Sequence, residues 1–177
     1  RRNYYQHTLL FAGFFMLCVM TTHSQNKDIA DSLETIHREG TFEEEDHMKI
    51  LRELIVNHPD PDKVILFCDE LIQRSEESGD LNYTWQGYIG KGQALRLKGN
   101  LPLALENLYK ANEIAQKIDD GSQIATTELN LADVFQVMGN YNSSIEYYRS
   151  SIDKLRQEND SITLAYGLIN FGDAYNL

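Results

Sequence analysis

The sequence predicts an all-α protein built from helical hairpins that stack side by side. The stretch Gly92–Asn100 is echoed forty residues later by Ala132–Asn140, and a third copy starts at Gly172. Each copy has a small residue followed three positions on by a large one, and the first two end in Gly-Asn. A fixed period of this length is typical of repeated units that share a hydrophobic core with their neighbours. In addition, no stretch alternates polar and apolar residues for long enough to indicate a strand.

The first three helices can be justified from caps and breakers. We predict a short helix from Asn26 to Gly40, because apolar residues recur in it at helical spacing and glycine suits a C-terminal cap. Thr41 and Glu44 form a capping box that opens a second helix. Two prolines end it, since proline lacks an amide donor and disfavours the helical conformation in the residue before it. Asp60 then caps a third helix that runs to about residue 77.

The later helices follow the repeat. Gly-Asn turns at 99–100 and 139–140 divide two hairpins, and Ser122 is expected to cap the helix that opens the second of them. The predicted helices cover residues 81–98, 101–118, 123–138 and 141–158, and a last one begins at residue 162. The chain is therefore interpreted as a lead-in helix, three hairpins and half of a fourth.

The amino terminus has the pattern of an export signal. Two arginines are followed by a twelve-residue apolar run over residues 9–20. A membrane-spanning helix needs about 20 apolar residues, whereas the apolar region of a signal peptide has about 7–15. We predict a signal peptide over residues 1–24, cleaved between Ser24 and Gln25, with an uncleaved signal anchor as the alternative. Cleavage leaves Cys68 as the only cysteine, so no internal disulfide forms, and its apolar neighbours indicate a small buried side chain.

The charge balance excludes some partners. The 177 residues include 16 basic and 27 acidic side chains, for a formal net charge of −11. Such a surface repels nucleic-acid phosphates and anionic lipid, so neither is an expected partner.

The spacing of small residues resembles the tetratricopeptide repeat family. That motif has small residues at its eighth, twentieth and twenty-seventh positions, where helices approach to about 8–10 Å. The resemblance implies helical hairpins stacked in a right-handed superhelix, with a lead-in segment over 25–44 and a repeat array over 45–177. Within the array we expect a degenerate repeat over 45–78, repeats over 85–118 and 125–158, and a partial one from 165. The helix-packing residues are expected to be Gly92, Gly99, Ala104, Ala111, Ala132, Gly139, Ser144, Ser151 and Gly172.

Some positions depart from the family pattern. Lys91 and Glu128 occupy positions that the family usually fills with apolar or large side chains. The period is 40 residues, against about 34 in the family. The extra residues predict longer second helices or longer loops between repeats. An unrelated helical bundle with an accidental period is the alternative.

The resemblance also implies a function. In this family the first helix of each repeat lines an inner groove that binds a protein or peptide. The positions that usually face the ligand hold Gln93, Arg96, Asn130, Asp133, Gln136, Asn170 and Asp173. Asn130 and Asn170 are forty residues apart, so they are expected to stack and could hold a peptide backbone by hydrogen bonds. The alternative is that they bond to neighbouring helices.

No motif for chemistry is present. The sequence has no phosphate-binding glycine loop, nucleophile elbow or paired cysteine motif, so no catalytic residue and no cofactor are predicted. His37, His47 and His58 lie 10 and 11 residues apart, which is not a metal-ligand spacing on one helix. Surface histidines and no metal site are the expectation.

A narrower resemblance concerns the cellular setting. The stretch from Lys91 to Leu101 is similar to the amino-terminal repeats of bacterial membrane-bound nucleotide cyclases, and related arrays precede some histidine kinases. This similarity implies an exported, periplasmic sensory or scaffold region, with a membrane helix and effector elsewhere in the protein. A free-standing periplasmic adaptor and an array that supports a hydrolase are the alternatives. The partial repeat from residue 165 also offers an apolar surface for self-association.

Overall fold

The computed structural model describes residues 27–40, 42–43 and 46–175, and every regular element in these ranges is an α-helix. Helix α1 includes residues 27–39. It is followed by α2 (His47–Asn57), α3 (Pro61–Ser78), α4 (Leu81–Leu97), α5 (Leu101–Ile118), α6 (Gly121–Val137), α7 (Tyr141–Glu158) and α8 (Ser161–Tyr175). The all-α class and the stacked hairpins α2/α3, α4/α5 and α6/α7 are therefore confirmed. The expected signal peptide and both residues of the capping box at 41 and 44 lie outside the described residues.

An aspartate or asparagine precedes a helix every twenty residues from Asp60 to Asp160. Asp80 accepts hydrogen bonds from the amides of Asn82 and Tyr83, and Asp120 accepts one from Gln123. Such bonds satisfy amide donors that have no partner within the first turn. The expected cap at Ser122 is wrong, because α6 already begins at Gly121 and Asp120 fills the position. The residues that precede helices α3 to α8 are Asp60, Asp80, Asn100, Asp120, Asn140 and Asp160.

The forty-residue period comes from long helices rather than long loops. Helices α4 and α6 have 17 residues each, and α5 and α7 have 18. Only residues 119 and 120 separate α5 from α6. The expectation of longer loops between repeats is therefore wrong, and the extra residues extend both helices of each hairpin.

Gly99 and Gly139 have a different role from the one expected. Their φ angles are +76° and +75°, a left-handed conformation that glycine adopts without steric cost. A Cβ built at either position meets no atom within 4 Å. The turn therefore accounts for glycine at both positions, and the expectation that Gly99 and Gly139 are helix-packing residues is wrong.

Close helix packing is observed at most of the other small positions. A Cβ on Gly92 would lie 2.7 Å from the Leu108 side chain, so α4 and α5 touch through this glycine. Gly172 occupies the same repeat position, but a Cβ there would meet no atom of the described residues within 4 Å, so the close approach expected at this position is not seen in that part of the chain. The remaining small residues are fully buried: Ala104, Ala111, Ala132, Ser144 and Ser151.

Helix α4 contains two further close contacts that the repeat pattern does not reveal. A Cβ on Gly87 would lie 2.6 Å from Ile72, and one on Gly90 would lie 2.6 Å from Ile55 and 3.0 Å from the Cys68 sulfur. Cys68 itself is fully buried, as expected, and burial raises the pKa of its thiol to about 12.

The two charged departures from the family pattern are paired across helices. The Lys91 ammonium lies 2.5 Å from Asp69 on α3. Lys154 on α7 donates to both carboxylate oxygens of Glu128 at 2.9 Å. Each charge therefore has a partner on the adjacent helix, and such partly exposed pairs contribute about 0–1 kcal/mol.

Candidate functional site: the concave face

The first helices of successive hairpins line the inside of the curved stack. Helices α2, α4, α6 and α8 contact one another in sequence, whereas the second helices α3, α5 and α7 do not approach one another within 8 Å between Cα atoms. Close inner helices and separated outer helices bend the stack around its first helices. The face that they line is the candidate site, as the sequence predicts for the groove.

Side-chain hydrogen bonds close the inner junction between α4 and α6. The Trp85 indole donates to the Thr127 hydroxyl at 2.9 Å. The Gln93 amide donates to the Asn130 side-chain oxygen at 2.9 Å. Asn130 in turn donates to the Thr126 carbonyl at 2.8 Å and is only 8% exposed. Both polar atoms of Asn130 are thus used within the protein.

The junction between α6 and α8 is closed by a network around Asp133. Asn170 donates to the Asp133 carboxylate at 3.2 Å, and the buried Tyr148 hydroxyl donates to the same oxygen at 2.5 Å. Gln136 lies 3.0 Å from that hydroxyl. Burial, together with the bond to Asp133, raises the pKa of Tyr148 well above its ordinary value. This network fixes the side chains on the inner face of α6.

The repeat register of these contacts differs from the expected one. Asn130 does not stack on Asn170; each instead bonds to the side chain 37 positions earlier, Gln93 or Asp133. In both junctions, the ninth position of one repeat therefore bonds to the sixth position of the next. The alternative in which the asparagines bond to neighbouring helices is the one that the structure displays.

Three of the predicted groove residues, including Gln93, are more accessible. Asp173 and Gln93 are exposed, and Arg96 is half-buried. The Arg96 Nε atom is buried with no hydrogen-bond partner among the described residues.

A pocket opens where α2 meets α4. It has a volume of about 220 Å³ and a mainly apolar wall. In the part of the chain that the structure describes, no side-chain hydrogen bond joins α2 to α4 as others join the later junctions. The Gln86 side-chain oxygen is buried and without a partner in these ranges. The lining residues are Arg52, Ile55, Val56, Leu71, Trp85, Gln86, Ile89, Gly90 and Gln93.

Only part of this pocket was predicted from sequence. Gln93 was predicted as a groove residue, but Arg52, Val56 and Gln86 were missed. Gln86 and Ile89 fall at the second and fifth repeat positions, so a full projection of the repeat onto α4 would have found them. The α2 residues could not be assigned to the groove from sequence, because this helix lacks the small residues that identify repeat positions elsewhere.

The three histidines are not simple surface residues, which corrects the sequence expectation. His47 is 7% exposed, and the His58 side chain is 5% exposed. His37 and His47 lie with Glu70 so that one ligand atom of each falls within 4.8 Å of the others. The sequence spacing missed this cluster because its members come from three different helices.

Comparisons with known proteins agree with this architecture. A family model described as Tetratricopeptide repeat matches residues 84–157. The crystal structure of BtubC (BKLC) from P. vanneervenii is similar to this chain, with a TM-score of 0.63 and 17% sequence identity. The alignment covers 87% of this chain and spans 64% of that one. No curated protein matches the chain. Residues 84–157 thus match the tetratricopeptide repeat, and the solved neighbour supports the fold alone.

No described helix is both long enough and apolar enough to cross a membrane. The apolar run over residues 9–20 lies outside the described ranges.

Proposed function

We propose that the concave groove binds an extended peptide and that the pocket between α2 and α4 receives one apolar side chain of it. Tetratricopeptide repeats form protein-interaction domains, and such domains are generally not enzymes. The pocket is the observation that carries the proposal. Among the described residues, side-chain hydrogen bonds join α4 to α6 and α6 to α8, but none joins α2 to α4.

The size and polarity of the pocket favour a side chain over a small molecule. Its volume of about 220 Å³ is below the roughly 300–1,000 Å³ of small-molecule sites. Ile55, Val56 and Ile89 supply apolar contacts, while the unpaired oxygen of Gln86 can accept a hydrogen bond from a peptide amide. Apolar side-chain pockets beside backbone-binding polar groups are the usual means of peptide recognition.

Trp85 provides a direct assay. It is the only tryptophan of the chain and lines the pocket, so its fluorescence reports on occupancy. We would select binders from a library of displayed peptides and titrate them against the protein. Val56→Arg should place a charge at the pocket wall and lower affinity by about tenfold or more, since a bound apolar side chain would remove that charge from water without pairing it.

A matched control separates the pocket from a general surface effect. Leu66 on α3 is 66% exposed and Val56 is 68% exposed, but Leu66 does not line the pocket. Leu66→Arg should leave peptide affinity unchanged. Equal losses in the two variants, or none in Val56→Arg, would overturn the proposal.

We further propose that the chain is the extracytoplasmic repeat region of a bacterial membrane signalling protein of the nucleotide cyclase or histidine kinase type. The basic start, the apolar run over 9–20 and the cyclase-like stretch from Lys91 to Leu101 support this setting. A free-standing periplasmic adaptor without an effector is the alternative.

Two measurements separate these settings. A fusion of residues 1–177 to alkaline phosphatase should be active if the segment is exported, and deletion of residues 1–24 should abolish that activity. The coding sequence after Leu177 should contain a further apolar run of about 20 residues followed by a cyclase or kinase domain. A stop codon soon after Leu177 would favour the adaptor, and an inactive fusion would contradict both settings.

A further inference from the structure

We propose that His37, His47 and Glu70 form a binding site for a zinc-like divalent transition-metal ion. The three residues come from α1, from the start of α2 and from the middle of α3. A metal held by them would join the lead-in helix to the first hairpin. This site is separate from the peptide groove.

The geometry is close to that of a metal site. The His47 Nε2 atom lies 3.0 Å from one Glu70 oxygen, and the His37 Nε2 atom lies 3.1 Å from the other. Bonds of about 2.0–2.1 Å in a tetrahedral zinc site place neighbouring ligand atoms about 3.3 Å apart. Since the ligand atoms already lie within 4.8 Å of one another, small side-chain rotations suffice to enclose an ion.

The chemistry of the ligands favours zinc over calcium or magnesium. Two imidazole nitrogens and one carboxylate are typical ligands of zinc and related transition metals, whereas calcium and magnesium prefer oxygen. Three protein ligands leave a fourth position for water.

The surroundings hold the ligands in place. The Phe42 ring contacts the His47 ring at a centroid distance of 4.7 Å, and Phe67 contacts His37 at 5.7 Å. Arg74 donates to one Glu70 oxygen at 3.1 Å, which orients the carboxylate but places a positive charge beside the site. An adjoining pocket of about 350 Å³, lined in part by His47, Arg74 and Glu77, gives an ion a path from solvent.

The test uses the full chain without a histidine tag, first treated with a chelator. Zinc chloride is titrated by calorimetry, and cobalt chloride by visible absorption, which intensifies in tetrahedral coordination. We expect one ion per chain. At a free zinc concentration one hundred times the dissociation constant, the melting temperature should rise by about 5–10 °C.

Variants assign the ligands. His37→Gln and Glu70→Gln should each weaken zinc binding by roughly tenfold or more, since each removes one of three ligands. His37 is chosen rather than His47 because it is only half-buried. Its replacement is therefore less disruptive to folding than replacement of the buried His47. His58→Gln is the matched control, and a variant that combines His7→Ala with His23→Ala controls for the other histidines of the chain.

The outcomes decide the proposal. Stoichiometric binding that the first two variants lose and the controls keep would support it. The absence of stoichiometric binding would overturn it and leave a hydrogen-bonded histidine–carboxylate cluster. Undiminished binding by His37→Gln and Glu70→Gln, or an equal loss in His58→Gln, would also overturn it.

Discussion

Gly92 and Gly172 occupy the same position of two repeats, yet the structure predicts opposite effects when each is replaced by alanine. Glycine inside a helix is less favourable than alanine by about 1 kcal/mol. That gain is available at Gly172, where a Cβ would meet no atom of the described residues within 4 Å. Gly172→Ala should therefore stabilise the protein by up to about 1 kcal/mol.

At Gly92 the same gain is offset by a clash. A Cβ there would lie 2.7 Å from both Cγ and Cδ2 of Leu108, about 1 Å closer than carbon atoms prefer. The branching atom of leucine cannot move away by a rotation of its methyl groups alone, so α4 and α5 must separate. Overpacking of this kind costs about 1–3 kcal/mol, which leaves Gly92→Ala destabilising by about 0–2 kcal/mol after the helix gain.

Urea denaturation followed by circular dichroism measures both effects, and Trp85 fluorescence reports the first hairpins separately. Because repeat arrays can unfold in steps, both probes are needed. A double-mutant cycle with Leu108→Ala tests the mechanism: the leucine truncation should cost less in the Gly92→Ala background, with a coupling of about 0.5–3 kcal/mol. If Gly92→Ala stabilises the protein as much as Gly172→Ala, the close approach of α4 and α5 is refuted.

Three further predictions follow from buried groups. Ala111→Leu should cost about 1–3 kcal/mol by overpacking a fully buried position; an unchanged urea midpoint would contradict the repeat alignment. Asn130→Ala should lower stability by about 1–3 kcal/mol, because it removes the partner of Gln93 and a bond to Thr126; unchanged stability with weaker peptide binding would instead assign it to the ligand. Burial raises the pKa of the Cys68 thiol from 9.0 to about 12, so the folded state keeps a proton that the unfolded state releases. Stability should thus fall as the pH rises from about 9 towards 12, and Cys68→Ala should flatten this part of a profile of urea midpoint against pH.

The helices were largely predictable because their signals are local. Asp60, the Gly-Asn turns and the apolar spacing each act within a few residues, so α3, α5 and α7 begin and end close to their predicted bounds. The cap at Ser122 was predicted wrongly because Asp120 and Ser122 are both good capping residues and lie two positions apart. The residue at which α6 begins decides which of them is the cap. The sequence also did not distinguish the two roles of glycine. A glycine that makes a turn, such as Gly99, and one that allows close helix contact, such as Gly92, look identical in the sequence.

The candidate site was predictable only in outline. The repeat identified the inner helices and seven of their residues, but it could not show which of these side chains meet across a junction. Gln93 bonds to Asn130 and Asp133 bonds to Asn170, so residues expected to face a ligand bond to the protein instead. The pocket depends on α2, whose sequence has lost the repeat pattern, and it could be located only from the packed structure.

The sequence by itself determined the fold class, the period and most of the helix ends, because caps, turns and small residues act through local geometry that recurs every forty residues. The tertiary structure decided which side chains meet across helices: the open pocket beside Trp85, the closed network around Asp133 and the cluster of His37, His47 and Glu70. Those arrangements depend on the offset and tilt between whole helices, which are set by the summed packing of many side chains and leave no mark at any single position.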